Sequence, residues 1–187
     1  DVILNAFLPS GAFHGRQTVS IPAGSQAAFF IGEIFPDLDQ GWIEILPDNP
    51  HTVGFMTVGN QDWTQLDGAP VFPVQGSRII FPEIRTSGSD RTTFCVINPE
   101  SEGVLVHFDW HPPGGQARSS SRWIPARGMT RTTFGELFGD GGQGYVVVRS
   151  ESGSGLYGLE FFGDDSSEAV LPGPVSYTHL RAHETSL

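Results

Sequence analysis

Lysine is missing from this chain of 187 residues; its ten Lys-or-Arg positions are all arginine. Against them stand 21 acidic residues, for a formal charge of −11 and a pI of about 4.7. A surface of that sign repels a phosphate backbone, which argues against nucleic acid as a partner. Cysteine occurs once, at Cys95, so no intramolecular disulfide can form. Cys95 sits in the apolar run TTFCVIN, with no flanking nucleophile signature, and reads as a small core hydrophobe. No apolar stretch approaches the roughly 20 residues that span a bilayer, which excludes a helical membrane insertion. No signal peptide opens the chain, but it starts at Asp1 inside a strand-like run, and the expectation is a fragment. G-x-S-x-G and the P-loop are also missing, and no G-x-G-x-x-G opens a helix, so those chemistries have no support.

What the chain does contain is turn chemistry and short apolar runs. There are 24 glycines and 14 prolines, and aromatics supply 11% of the residues, a mixture that predicts many short strands joined by turns. Strands are expected over 78–84, 91–98, 103–111, 118–124, 143–150 and 155–162. Between them lie the turn clusters SGSD, NPESEG, HPPGGQ, FGDGGQ and SESGSG. The clearest alternation puts Val104, Val106, Phe108 and Trp110 on one face and Leu105, His107, Asp109 and His111 on the other. Such a strand buries one side and wets the other.

The sequence also repeats itself. IPAGSQAAFFIGEIF at 21–35 matches IPARGMTRTTFGELF at 124–138, an offset of 103 (124 − 21). In that register Pro22 meets Pro125, Glu33 meets Glu136 and Trp42 meets Tyr145, and the last pair is expected in the core. With one residue of slack, VGFMTVG (53–59) falls against YGLEFFG (157–163). A period of about 103 suits one sandwich of roughly 100 residues, not a solenoid unit of about 20 to 50. The expected fold is therefore all-β: two tandem antiparallel β-sandwich, immunoglobulin-like modules, the first lacking its opening strands. Residues 1–72 hold the later strands of a first module and 73–173 a complete second one. Residues 174–187 form a tail outside the fold. FFIGEIF and TTFGELF are expected as short helical turns, each with its Glu near the start, where negative charge is favoured.

The succession FP-x-I, NP, a strand ending in a Pro/Gly turn, IPA, ELF and GYVVVRS resembles tandem modules of large extracellular bacterial proteins, generally without assigned activity. The likeness covers 78–163 well and 18–59 in part. It implies a secreted or cell-surface setting and a spacer, stalk or adhesive role beside neighbouring domains, and carries no functional residue across. PVSYTHLRAHETSL (174–187) resembles translated sequencing-adaptor read-through, so His179 and His183 are left out of any site.

Candidate chemistry is sparse. His107, Asp109 and His111 share a strand face and could converge on zinc or another transition metal given a fourth ligand. At the offset of 103 their matches are Leu4, Ala6 and Leu8, so the trio is not part of the repeated pattern. Asp37 and Asp39, or Asp164 and Asp165, could serve a loop calcium site, although the EF-hand pattern is incomplete. Glu33 and Glu136 occupy one position in two copies, which favours a turn role over a catalytic carboxylate pair. Arg118, Arg122, Arg127 and Arg131 read as a solvated face, with an anion site as the alternative. Exposed Trp63 or Trp123 could stack on sugar rings, which would make polysaccharide a partner; another surface protein is the other candidate.

Overall fold

The computed structural model describes residues 1–59, 66–71, 75–86, 91–139, 141–164 and 167–173. It is all-β, as expected, with thirteen strands and two single-turn helices among the described residues. The core lies between two four-stranded antiparallel sheets. One has the order β6 (Arg78–Phe81), β11 (Tyr145–Ser150), β8 (Val104–His111), β9 (Arg118–Ile124). The other runs β10 (Met129–Thr133), β7 (Arg91–Ile97), β12 (Tyr157–Asp164), β13 (Ser167–Pro172). Apart from the β8–β9 and β12–β13 pairs, sequential strands change sheet, so each sheet mixes elements far apart in the chain, as sandwiches do.

Period-two patterning fills the space between them. On β8 the inward row Val104, Val106, Phe108 and Trp110 is buried and the outward row half-buried, the alternation its sequence predicts. Phe81 stacks on Phe94 across the sheets at 5.0 Å between ring centroids. Phe134 and Phe138 of α2 (Phe134–Phe138) close the end of the core against Trp110.

A smaller three-stranded sheet has the order β2 (Phe13–Val19), β1 (Val2–Phe7), β3 (Trp42–Pro47), with α1 (Ile31–Ile34) beside it. Its core of Val2, Leu4, Ala6 and Phe35 is correspondingly small. The order β2-β1-β3 reproduces β9-β8-β11, and α1 falls where α2 does. Residues 26–30, which match β10, form no strand, and Phe29, Phe30 and Ile31 are exposed where Thr132, Thr133 and Phe134 of the sandwich are covered or half-covered. The physical reason is pairing: β10 bonds to β7, and among the described residues no strand lies in that position beside 26–30. The β4 (Phe55–Gly59) and β5 (Leu66–Pro70) hairpin runs against β13, where Asp67 Oδ2 accepts the Val170 N–H at 2.8 Å.

Pairing also corrects one register. Asn5 lies opposite Arg16 and Glu44, and Asp109 opposite Ser119 and Val147. Since 16 + 103 is 119 and 44 + 103 is 147, β1 matches β8 at an offset of 104, with the extra residue falling beside the register shift at Ala6/Phe7. The counterparts of His107, Asp109 and His111 are thus Ile3, Asn5 and Phe7, in place of Leu4, Ala6 and Leu8, which a gap-free alignment selects. Sequence alone cannot place a one-residue slip, yet it exchanges the two faces of a strand.

Residues 60–65, with Trp63, lie outside the described residues, as do Asp165, the side chain of Asp164 and the tail 174–187.

Candidate functional site

The outward face of the β6-β11-β8-β9 sheet collects most of the candidate residues. Its middle is a ladder of cross-strand bonds. His107 Nδ1 lies 2.9 Å from Ser121 Oγ on β9. Asp109 takes a hydrogen bond from Ser119 Oγ at 2.6 Å on one side and from Arg149 Nε at 2.8 Å on the other. Partial burial pushes the Asp109 carboxyl up. The Ser119 and Arg149 bonds and the charges of Arg149 and His107 outweigh it and hold the pKa below the ordinary 3.8. His111 stacks on Tyr145, its pairing partner on β11, at 4.7 Å and 10° between ring planes.

The trio therefore shares a face, as its spacing predicts, but is not brought together. His107 turns to β9, Asp109 is saturated by both neighbouring strands, and His111 is flat against a ring. Among the described residues no three His, Cys, Asp or Glu side chains converge as metal ligands. Asp37 and Asp39 are both exposed on the loop before β3 and belong to no such group.

At one edge of this face stands Trp123. Its indole rests on Gly103, where an added Cβ would come 2.3 Å from Cζ2, and 63% of the residue is exposed. That is the exposed aromatic the sugar-stacking reading requires.

At the other end, the pairing of aromatics is repeated in the small sheet. Phe7 and Trp42, also cross-strand partners, stack at 4.7 Å and 16°. Yet Trp42 is buried and Tyr145 is 43% exposed, so the shared core role expected of the two positions holds only for Trp42. Trp42 is covered by a segment that has no counterpart over Tyr145 among the described residues. Its Nε1 donates to the Arg127 carbonyl at 2.8 Å, Arg127 Nη1 pairs with Glu44 at 3.0 Å, and Met129 N donates to the Pro9 carbonyl at 3.0 Å. The Arg127 guanidinium lies 5.8 Å from the Phe7 ring centroid. Arg127 has φ of 54°, in the left-handed region, and Gly128 N closes its turn on the Pro125 carbonyl at 3.0 Å. Asn5 continues the network, accepting from Arg16 Nε at 2.7 Å and donating to Glu44 at 2.8 Å. Tyr157 faces the same contact. Burial first, and then the carboxylates of Glu44 and Glu100, raise its pKa above 10.0.

The other arginines have separate partners: Arg118 lies over the Trp110 ring, Arg122 reaches the Glu136 carbonyl, and Arg131 is exposed on β10. The four do not gather round an anion.

Both repeated glutamates cap turns. Glu136 Oε2 accepts from Thr133 N and Thr132 Oγ1, each at 2.9 Å, while Glu136 N donates to Thr133 Oγ1 at 3.2 Å. The Thr133 backbone bond, followed by that of Thr132, keeps the Glu136 pKa below 4.5. Glu33 Oε2 accepts the Phe30 N–H at 3.1 Å, the reciprocal half of the same arrangement. Pro22 and Pro125 likewise open equivalent turns, with Ser25 N on the Pro22 carbonyl at 3.1 Å.

One functional-looking residue escaped the sequence reading. Glu160 is fully buried on β12, in the inward row with Gly158 and Phe162, and neither carboxylate oxygen has a hydrogen-bond partner. Burial, reinforced by the Glu83 carboxylate, lifts its pKa to about 8. The alternation of GLYGLEFF was the available signal, since it sets Glu160 in phase with Phe162.

No family model matches the chain, and no curated protein does. Among solved structures it is similar to that described as "Crystal Structure of Thermotoga maritima 1070", at 10% identity and a TM-score of 0.47, over 55% of this chain and 96% of that one.

Proposed function

We propose that the chain is a non-catalytic β-sandwich spacer or adhesive unit of a larger secreted or surface protein, built from two copies of one module. It acts by holding neighbouring domains at a fixed distance and orientation behind an acidic surface. The clasp between Trp42, Glu44 and the 125–129 turn carries this reading, because it joins the small sheet to the sandwich by directed bonds rather than by a loose linker. The matching strand orders, turns and caps support the duplication. The His, Asp and Glu side chains that could suggest chemistry are engaged in ladder bonds and caps.

Small-angle scattering on wild type and Arg127→Ala tests it. The variant should show a larger radius of gyration and a broader distance distribution, with the sandwich's own melting transition retained. Identical profiles would count against a clasp that sets orientation.

Exposed Trp123 supports a second reading, a carbohydrate-binding module. Affinity electrophoresis in gels containing soluble polysaccharides would show retardation abolished by Trp123→Ala. Equal mobility of both proteins in every polysaccharide would remove it.

A further inference from the structure

The molecule carries, unoccupied by each other, a second set of both halves of the contact that covers Trp42. The occupied socket consists of the Phe7–Trp42 stack, the Pro9 carbonyl and the β1–β2 turn, where Gly11 has φ of 85°. Gly11 lies so close to the 125–129 turn that an added Cβ would overlap the Ala126 carbonyl. At the offset of 104 the corresponding positions on the sandwich are the His111–Tyr145 stack, Pro113 and Gly115, in a turn closed by Gly115 N on the Pro112 carbonyl as Gly11 N closes on Leu8. The stacking geometry and the turn's closing hydrogen bond are reproduced, with the left-handed glycine one position earlier, at Gly114, but Tyr145 is 43% exposed. The plug that fills the first socket is the turn Pro125–Gly128. Its match is Pro22–Ser25, with the same closing hydrogen bond and Gly24 at φ of 73° where Arg127 has 54°. Pro22, Ala23, Gly24 and Ser25 are all exposed, and nothing lies within 4 Å of the position a Cβ on Gly24 would take.

We infer that the His111–Tyr145 end of the sandwich is a docking socket for the Pro22–Ser25 turn of a second copy of this chain. This rests on the modular reading above and deepens it. Plug and socket are different surfaces of one molecule, so the contact is heterologous and propagates head to tail, without closing at a dimer. Tyr145 keeps a donor at the end of its ring, as Trp42 does, and Gly24 keeps the acceptor carbonyl. Two side-chain contributions are lost: Gly24 has no guanidinium and Val147 stands where Glu44 does. The contact is therefore weaker than the intramolecular one, with dissociation constants on the order of hundreds of micromolar or higher.

Sedimentation of the full chain over a wide concentration range tests it. The average mass of wild type should climb continuously past the dimer. Tyr145→Ala removes the socket's ring, and Gly24→Val forbids the left-handed turn. Each should weaken association at least tenfold while keeping the wild-type circular dichroism spectrum. An equimolar mixture of the two has one intact plug and one intact socket, and should form heterodimers that do not elongate. A monomer at all concentrations overturns the inference. So does a closed dimer, or association that ignores both variants and vanishes with Phe30→Ser on the exposed apolar patch. None of these outcomes moves the scattering test of the clasp, which is read at dilution.

Discussion

Single residues decide how stability responds to solution conditions. Glu160 has a folded pKa of about 8 against an ordinary 4.5, so the folded state holds a proton that the unfolded state has lost between those values. The unfolded chain binds fewer protons there, so stability falls as pH rises, by about 1.4 kcal/mol per unit at most. That contribution is fully present below about pH 4.5 and gone above about pH 8. Glu160→Gln should flatten the slope of unfolding free energy against pH over that window, measured by denaturant titration; an unchanged slope would exclude Glu160 as its source. The caps give a prediction of opposite dependence. Glu136, its pKa held down, contributes stability above its ordinary 4.5 that is lost as pH drops. Thr133→Ala should lower stability by about 1 kcal/mol, and most of that loss should persist in a protein already carrying Glu136→Ala, because Thr133 Oγ1 accepts the backbone N–H of residue 136, which that substitution keeps.

Elements were legible in proportion to how strongly their own residues alternate. β8 declares itself because four large apolar side chains fall at every second position, and its burial follows that pattern residue by residue. Truncating one of the stacked rings behind it, Phe81→Ala, should cost about 3 to 5 kcal/mol in thermal or denaturant unfolding. β10 and β13 carry no such alternation. MTRTT offers no apolar row, and its extended form comes from β7 alongside. The converse holds at 26–30, where an equivalent segment without that neighbour is no strand. The repeated prolines, glutamates and turn glycines were visible as letters, and their roles as turn openers and caps follow from the hydrogen bonds. The clasp was not visible. Arg127 in the left-handed region looks like any loop arginine in sequence, and its partner Glu44 is 83 residues away. Tyr145 shows the same limit, because its exposure depends on a neighbouring surface and not on its own strand.

For the whole molecule, the sandwich and the small sheet bury themselves to different degrees. The larger core draws on both sheets and α2, whereas the smaller one holds four buried apolar residues beside an exposed trio of Phe29, Phe30 and Ile31. Two unfolding steps are therefore expected, the weaker one sensitive to Arg127→Ala. Hydrogen exchange should find the amides of β1 to β3 opening before those of β7 and β8; a single cooperative transition with uniform protection would contradict it. Cys95 supplies the means to time the later step. It is the chain's one cysteine, it lies buried on β7 between its partners β10 and β12, out of phase with the core residues Phe94 and Val96, and a thiol reagent reads how often its cover opens. Its labelling rate is a built-in clock for the breathing of that sheet, with no probe to be engineered.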